Sequence, residues 1–337
     1  MIAFEKFTLE NGLRVLVHKD ESTPIVAVNI LYNVGARNEH PDKTGFAHLF
    51  EHLMFGGSKN IAVFDEPLER VGGENNAFTN NDITNYYLTL PQQNLETAFW
   101  LESDRMNELA FSEKSLEVQR NVVVEEFKQR YLNQPYGDVW LLLRPLAYKI
   151  HPYQWSTIGK EISHIENATM EDVKAFFYRY YRPNNAIMVV AGNVDVVQIK
   201  HLSEKWFGNI PPGDEFQRNI PFEPLQTEER ILSVERDVPY DAIYKTYHIC
   251  KRTDKEYFSF DLISDILSNG KSSRFNNELV KKQKLFSEIN AYHTGDIDNG
   301  LFVISGKLHQ GIEMTIAENA IDNEIEKLKN EFVTSRN

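Results

Sequence analysis

His48 and His52 stand four residues apart, with Glu51 directly before the second histidine. On a helix turning about 100° per residue, positions i and i+4 stack one turn apart and i+3 falls beside them, so the three polar groups share a face. Two imidazoles in that relation can hold one metal ion, and a carboxylate next to them can act as general base toward water that the metal activates. Phe46, Leu49, Phe50, Leu53, Met54 and Phe55 make the rest of the segment apolar. Buried polar groups need partners, and a metal would supply one. The same residues also fit a plain amphipathic helix whose histidines fall near a glutamate.

Several elements must position this helix, which Gly56-Gly57 closes. Residues 4–9 and 14–18 alternate around Asn11-Gly12, a two-residue hairpin signal, and 25–32 reads as a third strand. A second helix is expected over 64–71, ended by Gly72-Gly73. Strands over 76–79 and 84–90 follow, joined by a polar turn at 80–83. Helices are expected over 92–110 and 112–132, with Ser112 and Ser115 as candidate caps. The helical pattern continues over 138–149 and 170–181, followed by a strand at 186–191 and a helix at 196–206. Pro211, Pro212, Gly213, Pro221 and Pro224 punctuate a linker-like stretch. This divides the chain into domains over 1–215 and 230–337, joined by 216–229.

Beyond the linker the order recurs, with strands over 231–235 and 242–248 and a helix over 257–267. One constant shift lays GFAHLFEHLMFGG on FSFDLISDILSNG, carrying His48 to Asp261, Glu51 to Ser264 and His52 to Asp265. The same shift places strand-like 301–303 on 88–90. A diverged tandem duplication, with the metal motif in the first copy alone, accounts for this. A second copy as long as the first would run to about residue 430, so roughly the last quarter of a natural protein is expected to be missing after the final helical stretch, 312–333.

With 337 residues, 42% hydrophobic and 12% aromatic, the chain can bury real cores. A formal charge of −13 argues against a nucleic-acid partner. The single cysteine, Cys250, forms no internal disulfide, and no stretch approaches the length of a membrane span. A cytoplasmic location is the expectation, or a periplasmic one if a leader has been removed.

The blocks ENGLRVLVHKD, HLFEHLMFGG, NAFTNNDITNYY, NVVVEEF, HPYQWSTIGKEISHI and YRPNNAIMVVAGNVD, in that order, resemble the pitrilysin-type zinc peptidases of family M16. Their inverted His-x-x-Glu-His order defines the inverzincins. The similarity is strongest to the small members, such as the mitochondrial processing peptidase subunits. It implies an α+β fold of two homologous domains, each a mostly antiparallel sheet packed with helices. It also implies zinc, peptide-bond hydrolysis and pairing with a homologous subunit or a second copy.

The resemblance further implies a third zinc ligand, a glutamate some seventy residues past the second histidine. Glu125 and Glu126 are the candidates, and the family pattern aligns best on Glu126, which shares the face of Val122 and Val123. Gln119 stands where the family usually has a second glutamate near the site. Asn76, Ala77 and Phe78 match the edge strand that pairs with the substrate backbone. Val280 and Ser287 fall where complete members carry an arginine and a tyrosine that stabilise the oxyanion. The implied protein is therefore the zinc-bearing half of a heterodimeric endopeptidase, with a catalytically weak or inactive scaffold subunit as the alternative.

Overall fold

In the computed structural model, residues 2–215, 219–331 and 333 are described. They divide into two units, Met1–Leu225 and Gln226–Asn337. The first begins with strands β1 (Glu5–Thr8), β2 (Arg14–Lys19) and β3 (Ile25–Tyr32). A 3₁₀ turn, Ala36–Asn38, then leads to helices α1 (Phe46–Leu53) and α2 (Asp65–Arg70). Next come the hairpin strands β4 (Glu74–Thr79) and β5 (Thr84–Pro91), then helices α3 (Leu95–Asn107) and α4 (Glu113–Phe127). A π-helical turn, Lys128–Leu132, extends α4. The unit continues with α5 (Val139–Ala147), α6 (Ile162–Glu166), α7 (Met170–Tyr180), β6 (Ala186–Gly192) and α8 (Val196–Phe207).

Its six strands run in the order β1-β2-β6-β3-β5-β4, antiparallel except for β2 beside β6. Period-two alternation sets the inner face. Along β3, Val26, Val28, Ile30 and Tyr32 are buried and join one core with Leu49, Phe50, Phe99, Phe177 and Phe207. Strand β4 is last in the order, so one of its edges has no neighbouring strand among the described residues.

The second unit contains β7 (Ala242–His248), α9 (Tyr257–Ser268), a π-helical turn (Asn276–Lys282), β8 (Phe286–His293), β9 (Leu301–Leu308) and α10 (Met314–Asn330). Its strands follow the order β7-β9-β8, all antiparallel. The run of strand, helix, short helix, two strands and helix repeats that from β3 to α3, and the sheet order repeats β3-β5-β4. The fold is α+β and its central theme is used twice. Among the described residues, no helix is long and apolar enough to cross a membrane.

Three local expectations differ from the structure. The register Thr8↔Arg14 leaves 9–13 in the first loop, longer than a two-residue turn. Asn11 is buried there, donating to the carbonyls of Phe207 and Ile210 and accepting the Leu13 amide, so it clamps the end of α8. Residues 231–235 form no strand, and Ile231 is 76% exposed. β-branched residues become a strand only against a partner, and β7 pairs with β9 alone. Strand β8 was not expected: a bulge between Phe286 and Glu288 breaks its alternation, although Phe286, Ile289 and Ala291 are all buried.

Candidate metal centre

Helix α1 has eight residues, fewer than an isolated helix needs to persist in water, so packing must hold it. Phe46, Leu49, Phe50 and Leu53 are buried, and Phe50 stacks on Phe176 and Tyr181 at 5.0 and 5.1 Å. The chain enters α1 through Gly45 at φ +88°, where a Cβ would lie 2.7 Å from the Ile158 carbonyl oxygen. Glycine leaves the helix start without a side-chain cap. The buried Glu39 carboxyl group takes that role, accepting the Gly45 amide at 2.9 Å and the Ala47 amide at 2.8 Å. Tyr86 Oη on β5 donates to the Phe50 carbonyl, tying down the second half of the helix.

Burial pushes the Glu39 carboxyl from an ordinary 4.5 up to about 8, while the Ala47 and Gly45 amides pull it back. Between those values the folded chain keeps a proton that the unfolded chain has released. Its stabilising contribution is therefore complete below pH 4.5 and is lost as pH rises toward 8. Melting temperatures measured across this window should fall in the native chain and fall less in Glu39→Gln, which has no such proton to lose.

On the other face of α1, His48 and His52 present their Nε2 atoms 3.4 Å apart. Helix α4 lies against α1 and brings Glu126 Oε2 to 3.6 Å from each of them. Two ligands on a tetrahedral zinc, each at about 2.0–2.1 Å, stand about 3.4 Å from one another. The three edges of 3.4, 3.6 and 3.6 Å match that spacing, and two imidazole nitrogens with one carboxylate oxygen are a donor set that zinc accepts. Among the described residues this is the one group of three or more such side chains placed to hold a metal ion.

Electrostatics favour the ligand forms. Burial drives His48 down to about 4 against the pull of Glu126, leaving the imidazole neutral, as a ligand must be. Contact with His52, reinforced by His48 and Arg130, holds Glu126 below its ordinary value despite burial. Arg130 Nη1 lies 2.8 Å from Glu126 Oε1, which leaves Oε2 facing the imidazoles.

Glu51 is half-buried and makes no hydrogen bond or ion pair among the described residues. Its charge reaches the Tyr86 and Tyr181 hydroxyls, which are pushed up mainly by burial, with Glu51 among the smaller contributors. Glu125 points elsewhere, pairing with Lys128 at 2.7 Å. Val122, expected on the inward face, is 43% exposed; the buried face of α4 is Leu116, Val123, Val124 and Phe127. Ser112 caps α4 by accepting the Ser115 amide.

Gln119 is half-buried two turns before Glu126 and forms no hydrogen bond among the described residues. Asn76, Ala77 and Phe78 lie on the edge strand β4, which neighbours α1. Asn76 Oδ1 accepts the Ala77 amide. In the second unit Asp261, the counterpart of His48, bonds His293 at 2.8 Å. Val280 lies against the second core, while Ser287 donates to the Lys307 carbonyl.

Sequence reading missed Glu39 and Arg130. Arg130 carried a usable signal, four residues after Glu126 on one helix. Glu39 carried none, being remote from the cap position that local rules inspect.

Two family models match the chain. Residues 14–160 match Insulinase (Peptidase family M16), and residues 167–336 match the Peptidase M16 inactive domain. The chain belongs to peptidase family M16. Relatives within the family include zinc protease PqqE of Helicobacter pylori, 34% identical over 336 residues, covering 98% of this chain and 76% of that protein. An uncharacterized zinc protease of Bacillus subtilis, YmxG, is 25% identical over 334 residues, covering 98% and 80%. The crystal structure of a protease from Helicobacter pylori superposes with a TM-score of 0.93 at 33% identity, over 99% of this chain and 82% of that one.

Proposed function

We propose that this M16 chain is a zinc-dependent endopeptidase acting on peptides or unfolded segments, with His48, His52 and Glu126 as ligands and Glu51 as general base. The observation that carries the reading is the near-equilateral triangle of three donor atoms, with Glu51 one residue before a vertex and free of other bonds. Zinc held there would polarise the scissile carbonyl and acidify the attacking water. Glu51 takes the proton of that water and returns it to the leaving amine, so hydrolysis proceeds without a covalent intermediate.

The open edge of β4 supports binding of an extended peptide by main-chain pairing, which reads backbone more than side chains and gives broad specificity. Asn76 Oδ1 sits on the Ala77 amide, an acceptor position that a peptide carbonyl could take over. Phe78, 44% exposed, adds apolar surface beside it. Gln119, in place of an acid, removes one negative charge near the zinc and would tune its affinity.

Val280 and Ser287 supply no oxyanion donor. A homologous subunit carrying the Arg/Tyr pair would complete the site, making this chain the zinc-bearing half of a heterodimer. The same two residues favour the competing reading of a scaffold subunit, against which stand the intact His48, Glu51 and His52. Elemental analysis together with a Glu51→Gln comparison of peptide cleavage separates the two. The full chain should carry one zinc, and His52→Ala should lose it while keeping its circular dichroism. A native chain that takes up no zinc overturns the peptidase reading.

A further inference from the structure

We infer that Glu39 is a positioning residue that sets the metal-binding helix in register with the β4–β5 hairpin; this rests on the zinc reading above. The first amides of any helix lack partners within it, and Gly45 offers α1 no side chain. Glu39, 7% exposed, reaches in from outside the helix and spends one oxygen on the Gly45 amide and the other on the Ala47 amide. Ala47 directly precedes His48, so the Glu39 carboxyl group grips the turn from which the first imidazole projects.

The other end of the same segment is bonded to the hairpin. Glu39 directly follows the 3₁₀ turn Ala36–Asn38. The Ala36 amide donates to the Asn80 carbonyl at 3.1 Å, and the Arg37 amide donates to the Asn81 carbonyl at 2.9 Å. Arg37 Nε lies 3.2 Å from Asp82 Oδ1, and Trp155 Nε1 donates to the Ala36 carbonyl at 2.9 Å. Residues 80–83 join β4 to β5. One short stretch of chain thus holds both the helix that bears the imidazole pair and the turn that ends the open edge strand.

A cap needed only for stability could be a serine or aspartate at the helix start. A buried carboxyl group arriving from a separate turn is the costlier solution, and unlike a cap on the helix itself it ties the start of α1 to the hairpin, as Tyr86 ties its second half. Slackening that link should shift His48 relative to Glu126 and hence alter the metal site, beyond any loss of stability.

The test compares the full native chain with Glu39→Ala, which removes both acceptors, and Glu39→Gln, which keeps one. Zinc affinity is measured by chelator competition, and the visible spectrum of the cobalt-substituted protein reports ligand geometry. Glu39→Ala should bind zinc about 10- to 100-fold more weakly, as expected for loss of a group that orients ligands. Glu39→Gln should lose less, and both cobalt spectra should change. If Glu39→Ala does not fold, Glu39→Gln decides. A folded Glu39→Gln with native zinc affinity and an unchanged cobalt spectrum overturns the inference. A native chain that binds no zinc overturns the metal reading and this inference with it.

Discussion

Replacing Glu51 by Gln should lower peptide cleavage by about 10²- to 10⁴-fold, the usual worth of a positioned general base, while zinc content and melting temperature stay near native. Gln matches Glu in size but cannot accept the proton of the attacking water. Glu51 makes no other hydrogen bond or ion pair among the described residues, so the substitution leaves no buried partner unsatisfied. His48, His52 and Glu126 keep their own contacts. Steady-state cleavage of an unstructured peptide by the assembled complex, with metal analysis of both proteins, is the measurement. Turnover by Glu51→Gln within a few-fold of native would remove Glu51 from the mechanism.

The isolated chain should hold zinc yet cleave about 10²- to 10³-fold more slowly than after a homologous subunit with the Arg/Tyr pair is added, the typical cost of a missing oxyanion donor. Val280 is packed on the core of the second unit, and the Ser287 hydroxyl is committed to the Lys307 carbonyl. Co-purification with native partners, followed by the same assay with and without them, reads the effect. Equal rates for the lone chain and the complex would eliminate the half-site view.

Much of this architecture was legible because its signals are local. The alternation of Val26, Val28, Ile30 and Tyr32 announces β3, and the proline and glycine punctuation brackets the helices. The repeat was legible too, since laying α1 on α9 requires only a shared apolar pattern. Strand β8 was hidden by its bulge. Residues 231–235 look like a strand and are not one, because strand formation depends on a partner that the segment itself does not contain.

For the site, the spacing of His48, Glu51 and His52 by itself determined that three polar groups would share one helical face, since helix geometry is the same wherever a helix forms. The choice between Glu125 and Glu126 belonged to the tertiary structure. Adjacent residues on α4 point about 100° apart, and only the docking of α4 on α1 turns Glu126 toward the imidazoles, while Glu125 pairs locally with Lys128 three residues on. Glu39 was decided there as well: its two acceptors find the start of α1 through a fold that no short-range pattern encodes.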